Sequence, residues 1–487
     1  MHGMVSSIYR LVGGEEMNYS VKLGVVGTRR NIFSKDDALK YNRLILDKLT
    51  DMGIDYVDIL DINEEGLLYD DNDVDAVVEK LQANKVDALF FPHCNFGTEH
   101  LVAEVSKRFD LPVLLWGPID ESPLPDGSRL RDSQCGLFAT GKILRRFQRK
   151  FTYLTMCKVE DKQFEEGINR FIATANVVKE VRNLKVLQIS TRPAGFWTMM
   201  VNEGELLEKF NVKVHPVTFT EVEMEMKKVK EEKLKELHDV VDYINESMEV
   251  NVTAEAVRNT AALKLAIKSL ADKFGCKAAA IQCWNAMQDA LGMFPCVANA
   301  LLTDDGFPVA CETDIHGAIT SVIAQAATMG KVTPFFADWT VPHPTNPNGE
   351  LLQHCGPWPV SLMKDKPKFG APFAFNYSHP GALHGEIIGG DMSILRFDGD
   401  NGEYSLLMGH AKGIEGPFNQ GTFVWIEVDN LKKLEDKLVC GPYVHHCVGV
   451  HSDVLPVVYE ACKYLGDVKP DLYDDSEEKI RAIIRGE

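Results

Sequence analysis

The sequence predicts an α/β protein: two doubly wound α/β domains with mainly parallel sheets, followed by a C-terminal β-rich, barrel-like domain. The chain has 487 residues, which is too long for one ordinary core. Strand-like and helix-like segments alternate through the first two thirds, as they do in a parallel sheet covered by helices. After about residue 331 the helical periodicity fades and short strand-like runs lie between Pro and Gly residues, which indicates antiparallel strands.

The first α/β domain is predicted over residues 20–160, after an N-terminal extension of residues 1–19. Strand-sized apolar runs alternate here with segments of helical spacing. The predicted strands are 21–26, 56–60, 86–91 and 111–116, and the predicted helices are 36–52, 74–83 and 98–109. This alternation predicts a parallel sheet covered by helices.

The second α/β domain is predicted over residues 161–340, and the β-rich domain over residues 341–487. The predicted elements of the second domain are strands 184–189 and 278–282 and helices 164–181, 252–274 and 315–327. Its segment 221–246 is highly charged, which predicts a solvated helix. In the last domain the strand-like runs are 392–397, 404–408 and 423–428, followed by a helix at 454–465.

Composition limits the partners and the compartment. The formal net charge of −19 argues against nucleic acid and anionic membrane surfaces, both of which attract basic proteins. No apolar run reaches membrane-spanning length, and the first 16 residues do not resemble a secretory signal. The eleven cysteines include no C-x-x-C pair, which indicates a reducing compartment. We therefore predict a cytoplasmic protein without nucleic acid or membrane partners.

The most informative stretch places Glu312, Asp314 and His316 at alternate positions, between a strand and a helix. If the strand continues through the motif, a period of two directs all three side chains to one face. Side chains at the carboxyl end of such a strand lie where ligands bind. Two carboxylates there repel each other unless a cation lies between them or one of them holds a proton. The alternative is that Asp314 caps the following helix while Glu312 occupies a solvated corner.

Histidines concentrate late in the chain, where a cluster is a candidate source of metal ligands and general bases. They are His343, His354, His379, His384, His410, His445, His446 and His451. The pair His445–His446 lies at the edge of a predicted strand. For His354, which precedes Cys355 and Gly356, the alternative is a turn before Pro357.

Two arginine-containing loops follow predicted strands and could bind an anion or hydroxyl groups. Arg29 lies in the first loop and Arg192 in the second. Neither loop has a dinucleotide or P-loop pattern. Trp284, with Gln282 and Gln288 nearby, could stack on a sugar and hydrogen-bond to it; the alternative is an aromatic residue that buries a helix start.

The separated motifs together resemble the L-fucose/L-arabinose isomerase family, in its broader fucose isomerase-like branch. They are Gln282-Cys283-Trp284, Pro295-Cys296 with Leu301-Leu302 and Gly306, Cys311-Glu312-Thr313-Asp314, His354-Cys355 and His445-His446. The resemblance covers the chain from about residue 20 to its end. It implies interconversion of an aldose and a ketose with bound Mn²⁺, or with Mg²⁺ or Co²⁺ in its place. It also implies a homo-oligomer, commonly a hexamer, with a trimer or dimer as alternatives and a pocket shared between subunits.

Roles carried over from the family fall on four residues. Asp314 matches a family metal ligand and Glu312 is its acidic neighbour. His446 matches the ligand from the late histidine pair, and His354 is similar to a ligand position in part of the family. The family's first acidic catalytic residue should lie between residues 284 and 301, where this sequence has no glutamate.

The resulting hypothesis makes Glu312 and Asp314 catalytic and assigns the metal to Glu312, Asp314, His354 and His446. Predicted substrate contacts are Arg29, Arg192, Gln282, Trp284, Gln288, Asn299, His316 and His445. Glu312 would shuttle a proton between C1 and C2 of a small-molecule sugar while the cation stabilises an enediolate. Two alternatives stay open: an isomerase of a modified or acidic sugar, whose anionic group Arg29 or Arg192 would bind, and a non-catalytic sugar-binding paralogue.

Overall fold

A five-stranded parallel sheet organises the first part of the chain. The computed structural model describes residues 19–373, 378–466 and 468–487, so all but the last residue of the predicted N-terminal extension lies outside the described residues. The elements are β1 (Leu23–Val25), α1 (Lys35–Asp51), β2 (Tyr56–Val57), a 3₁₀ helix (Asp71–Asp73), α2 (Val74–Ala83), β3 (Ala88–Pro92), α3 (Glu99–Ser106), β4 (Val113–Trp116), α4 (Ser133–Arg146), β5 (Thr152–Tyr153) and α5 (Lys162–Arg182). The strand order is β2–β1–β3–β4–β5. Every residue of β3 is buried, as expected for a sheet covered on both faces.

A four-stranded parallel sheet follows. Its part of the chain comprises β6 (Lys185–Ile189), a 3₁₀ helix (Trp197–Met199), α6 (Glu203–Phe210), β7 (Lys213–Val217), α7 (Phe219–Glu232), α8 (Leu234–Ser247), β8 (Glu249–Val250), α9 (Ala254–Phe274), β9 (Ala278–Ile281), α10 (Ala286–Leu291), α11 (Cys296–Asp304), β10 (Val309–Cys311) and α12 (Ile315–Ala327). The strand order is β10–β9–β6–β7. The carboxyl ends of β9 and β10 are therefore adjacent, and polar residues that follow these strands lie close together.

The charged segment 221–246 is not the single solvated helix that its composition suggested. A capping box at Thr218 and Glu221 starts α7, and Lys233 interrupts the helix before α8 begins. Both helices bury an apolar stripe in the core that α9 shares, through Val222, Met226, Val229, Leu237, Val240 and Ile244. The prediction was wrong because apolar residues at helical spacing are hidden among the many charged ones.

Antiparallel strands close into a barrel in the C-terminal part. The elements are β11 (Phe335–Pro342), β12 (Gly349–His354), a 3₁₀ helix (Val360–Leu362), β13 (Lys368–Gly370), β14 (Ala382–Glu386), β15 (Asp391–Asp400), β16 (Glu403–Ile414), β17 (Thr422–Glu427), α13 (Leu431–Cys440), β18 (His446–Val450), α14 (Leu455–Cys462), β19 (Lys469–Leu472) and α15 (Glu477–Arg485). Neighbours in the order β16–β15–β18–β11–β12–β17 pair antiparallel, and a pairing of β16 with β17 completes the ring. The predicted fold class, two parallel α/β sheets followed by a barrel-like domain, is confirmed.

The chain divides into two compact units. One comprises residues 19–179, 456–465 and 477–487, and contains the five-stranded sheet. The other contains residues 180–455 and 466–476, and therefore both the four-stranded sheet and the barrel. Within this second unit α12 packs on β15 and β18, which brings the acidic motif against the barrel strand that starts at His446. Among the described residues, no helix combines the length and the apolar character that crossing a membrane requires.

Candidate metal centre

The acidic motif lies in a tight turn between β10 and α12. The strand ends at Cys311, and Glu312 and Thr313 both have φ of 59°, in the left-handed region that non-glycine residues seldom occupy. Asp314 then caps α12 by accepting a hydrogen bond from the Gly317 backbone N–H at 2.8 Å. The strand therefore does not continue through residue 316, and the turn interrupts the period of two that would have directed the three side chains to one face.

His446 lies between the two carboxylates of this turn and is fully buried. Its Nδ1 is 2.8 Å from Asp314 Oδ2, and its Nε2 is 2.9 Å from Glu312 Oε2. A third carboxylate comes from the barrel, where Asp338 on β11 is the cross-strand partner of His446 on β18. Asp338 Oδ1 lies 3.4 Å from His446 Nε2. One imidazole therefore contacts three acidic side chains from separate parts of the sequence.

Several polar atoms at this point are buried without a hydrogen-bond partner. They include Glu312 Oε2, Asp338 Oδ1 and His446 Nε2. Leaving such atoms unpaired is costly, and their separations of 2.9 and 3.4 Å are close to the roughly 3 Å between adjacent ligands of a small octahedral cation. Two overlapping groups have ligand atoms within 4.8 Å of one another: Glu312, His445 and His446, and Asp338, His354 and His446. The residues present fit a divalent cation.

Asp314 is engaged differently from the other two carboxylates. The buried Arg396 contacts both oxygens of Asp314. The Gly317 N–H also donates to Oδ1, and the His446 imidazole lies against Oδ2. A carboxylate that holds the far nitrogen of a histidine orients that histidine for metal binding. The structure therefore favours Asp314 as an orienting residue in place of the predicted ligand, and its capping alternative is part of the same arrangement.

Electrostatics fix the charge states in this cluster. Burial raises the pKa of Glu312, but the contact with His446 outweighs it and lowers that pKa to about 2. Burial also opposes ionisation of Asp314, yet Arg396 and His446 hold the pKa of Asp314 far below its usual range. For His446, burial lowers the pKa, and the Asp314 and Glu312 carboxylates overcome it and raise the pKa to about 10. The carboxylates thus retain a proton on His446 in the absence of a cation.

A loop after β6 lies against this cluster. Trp284 donates its Nε1–H to Glu312 Oε1 at 3.0 Å, and Phe196 packs edge-to-face against Trp284 and against His445. The hydroxyl of Thr313 donates to the Thr191 backbone carbonyl at 3.2 Å. Trp284 therefore fixes the orientation of the Glu312 carboxylate, and its stacking on a sugar stays a prediction.

The two predicted anion-binding arginines have different surroundings. Arg192, in the loop after β6, donates only to the backbone carbonyls of Pro193 and Ala194, at 3.2 and 3.0 Å, so its charge has no carboxylate partner among the described residues. Arg29, in the other compact unit, forms an ion pair with Glu65. Its guanidinium also lies over the Tyr69 ring. Of the two, Arg192 has the uncompensated charge that an anionic ligand requires.

Four further residues that were predicted to contact the substrate form hydrogen bonds with neighbouring protein groups. The Gln282 amide oxygen accepts from the Ser190 hydroxyl, Gln288 donates to the backbone carbonyls of Cys283 and Met293, Asn299 donates to Cys311 Sγ, and His316 pairs with Asp398. His316 is turned toward Asp398 because it lies in the first turn of α12 and not in a strand. His445, by contrast, belongs to the ligand group with Glu312 and His446.

Two residues of the centre were absent from the sequence-based hypothesis. Asp338 is a single acidic residue in the apolar run Phe335-Phe336-Ala337-Asp338-Trp339. Because burying an unpaired charge is costly, an acidic residue inside an apolar strand could have indicated a functional role. Arg396 lies in β15, again between apolar neighbours. Neither has a recognisable motif, and only the strand pairing brings them to His446 and Asp314.

Comparisons with known proteins show which proteins this chain resembles. Residues 24–182 match the family model described as Fucose/sulfoquinovose isomerase, N-terminal domain. The chain is 27% identical to sulfoquinovose isomerase of Priestia aryabhattai, over 80% of this chain and 86% of that protein. It is 24% identical to sulfoquinovose isomerase of Alkalicoccus urumqiensis, over 81% of this chain and 88% of that protein. The resemblance that the motifs indicated is confirmed.

Proposed function

We propose that this chain, a sugar isomerase of the fucose isomerase-like family, converts an anionic aldose to the corresponding ketose through an enediolate. The observation that carries the proposal is the convergence of Glu312, Asp338 and His446, whose buried atoms are unpartnered, beside a loop with an uncompensated Arg192. The relatives named for sulfoquinovose, a sugar with a sulfonate group, support an anionic substrate.

Glu312, Asp338 and His446 would hold a divalent cation, with His445 within reach of the same group. Mn²⁺ is the expected ion, with Mg²⁺ or Co²⁺ as alternatives. When bound, such a cation supplies Lewis-acid polarisation of the substrate carbonyl. Asp338 provides the second oxygen ligand from β11, so the glutamate missing from residues 284–301 does not leave the centre with a single carboxylate.

Glu312 is the proposed proton carrier. Its pKa of about 2 keeps the carboxylate ionised, which is the form that accepts a proton from the carbon beside a carbonyl. Oε2 faces the cluster, and Oε1, which accepts the hydrogen bond from Trp284, keeps a second lone pair that can take the proton. Because the contact with His446 causes the low pKa, an uncharged His446 would make Glu312 a stronger base. Return of the proton to C1 and transfer of the O2 hydroxyl proton to O1 complete the isomerisation.

Arg192 is proposed to bind the anionic group of the sugar. A charge-assisted hydrogen bond of this kind contributes about 1.5–3 kcal/mol, so Arg192→Gln is expected to lower kcat/KM for sulfoquinovose by about 10- to 150-fold. A neutral aldose of the same ring configuration, measured on the same variant, is the internal control and should change little. Arg192→Lys should retain part of the preference because it keeps the charge.

The decisive experiment follows the reaction in D₂O by ¹H NMR. With Mn²⁺ present, we expect ketose formation and loss of the C2 proton signal of sulfoquinovose, and chelation should abolish both. Sugar binding without deuterium incorporation would contradict the proposed activity and favour the non-catalytic paralogue. Equal turnover of neutral and anionic sugars would contradict the proposed substrate class. The homo-oligomer, with a hexamer expected and a pocket shared between subunits, stays a prediction that sedimentation can test.

A further inference from the structure

The neighbours of two buried histidines of the centre, His446 and His354, favour opposite tautomers of the neutral rings. His446 Nδ1 faces Asp314 Oδ2 at 2.8 Å. A carboxylate that is ionised can only accept, so Nδ1 carries the hydrogen. Once a cation displaces the second proton of the ring, the lone pair of Nε2 would be available to it, as is usual for a metal-binding histidine with a carboxylate behind it.

His354 has the reverse arrangement. The backbone N–H of Cys355 donates to His354 Nδ1 at 2.9 Å, so the lone pair of Nδ1 is used and the hydrogen of the neutral ring lies on Nε2. Turning the ring over would leave the Cys355 N–H facing a carbon atom. A nitrogen that carries a hydrogen has no lone pair to give to a cation, and the carried-over ligand role of His354 does not fit this geometry.

The Nε2–H of His354 is a buried donor without an acceptor. The ring is 1% exposed and Nε2 has no hydrogen-bond partner. The nearest acidic oxygen, Asp338 Oδ1, is 3.8 Å away, beyond hydrogen-bonding distance. An unpaired buried donor costs about 1–3 kcal/mol, and this cost is removed when an oxygen of a bound molecule accepts the hydrogen bond.

We infer that His354 donates a hydrogen bond from Nε2 to a substrate oxygen and does not ligate the cation. This inference rests on the proposed isomerase function. We assign this hydrogen bond to the oxygen on which negative charge develops as Glu312 removes the proton, because His354 lies beside the centre, with its Nε2 3.8 Å from Asp338 Oδ1. The hydrogen remains on Nε2 throughout, and the donor acts by stabilising charge.

The test compares metal affinity with turnover in His354→Phe and His354→Gln. Phe keeps the ring shape and removes the donor, whereas the amide of Gln can place an N–H near the position of Nε2. We expect the Kd for Mn²⁺, measured by electron paramagnetic resonance of the free ion, to stay within about threefold of the parent enzyme in both variants. The kcat of His354→Phe should fall about 100- to 1000-fold, as when an oxyanion donor is removed, and His354→Gln should recover part of it.

A ligand variant provides the matched comparison. His446→Gln should raise the Kd for Mn²⁺ by more than about tenfold, and the nitrogen couplings of bound Mn²⁺ in pulsed resonance spectra should change in this variant but not in His354→Phe. A rise in Kd for His354→Phe similar to that of His446→Gln would overturn the inference. So would an unchanged kcat, or a Gln variant no more active than the Phe variant. If His354→Phe does not fold, His354→Gln answers the metal question alone. A parent enzyme that binds Mn²⁺ without isomerising a sugar would contradict the proposed function and leave the metal comparison valid.

Discussion

Asp314→Asn separates the orienting role of this carboxylate from a ligand role. Asn caps helices about as well as Asp, so the turn should persist. Its single amide oxygen cannot serve both the Gly317 N–H, which Oδ1 of Asp314 accepts, and His446 Nδ1, which faces Oδ2. The variant removes the charge that faces Arg396, and both side chains are only 1% exposed. Removing one partner of a buried ion pair costs about 3–5 kcal/mol. The lower end applies because Asp398 also contacts Arg396 at 2.8 Å, and a loss of about 3 kcal/mol lowers Tm by about 5–10 °C.

The same substitution should weaken metal binding, because Asp314 holds His446 in position. Losing such a supporting carboxylate costs about 10- to 100-fold in metal affinity. Asp398→Asn is the matched control: it removes the other carboxylate from Arg396 but has no contact with His446. Calorimetric scanning should show both variants destabilised, whereas Mn²⁺ titration should show weakened binding in Asp314→Asn alone. Equal Mn²⁺ affinities of Asp314→Asn and the parent enzyme, or an equal loss in both variants, would refute the orienting role.

Two further predictions concern pH. A cation must displace the proton from His446, whose pKa lies near 10 because Asp314 and Glu312 overcome the effect of burial. The apparent Mn²⁺ affinity should therefore rise about tenfold per pH unit between pH 6 and 8. An affinity that does not change with pH in resonance titrations would contradict this. Hydrogen bonds to Asp453 and Asp474 raise the pKa of His410 to about 9. Because the pKa of His410 is higher in the folded state, the protonated ring stabilises the folded protein fully below about pH 6.5, and this stabilisation is lost as the pH rises through 9. The Tm difference between the parent enzyme and His410→Asn should therefore shrink over that range.

The sequence reveals the parts of the centre that are local in the chain. Glu312 and Asp314 lie in one recognisable motif, and His446 belongs to an adjacent pair whose position along the chain matches the family. The contact of His446 with Glu312 and Asp314 requires α12 to pack on β18. The sequence gives the order of the domains but not this packing. The left-handed turn at Glu312 and Thr313 was not predictable, because neither residue is the glycine that usually signals such a conformation.

Contacts between residues that strand pairing brings together could not be predicted from the sequence. Asp338 meets His446 because β11 and β18 are neighbours in register, although about a hundred residues separate them in the chain. Arg396 reaches Asp314 across a separation of 82 residues. Register in a barrel is set by the whole closed set of strands, so no local pattern identifies such pairs. The hidden apolar stripes of α7 and α8 show the opposite case, in which a local signal existed but charge obscured it.

Charge balance connects the cation with the choice of substrate. Four carboxylates meet at the centre: Glu312, Asp314, Asp338 and Asp398. Arg396 and a protonated His446 lie against them, and the His316 ring contacts Asp398. Such an excess of buried negative charge is unfavourable, and a divalent cation in place of the His446 proton reduces it without cancelling it. The centre therefore remains negative and repels an anionic sugar unless a separate cationic group binds the anion. Arg192, which has no acid partner among the described residues, lies on the loop beside the cluster and is the group proposed to bind the anion. Its substitution should therefore affect the anionic substrate far more than a neutral one.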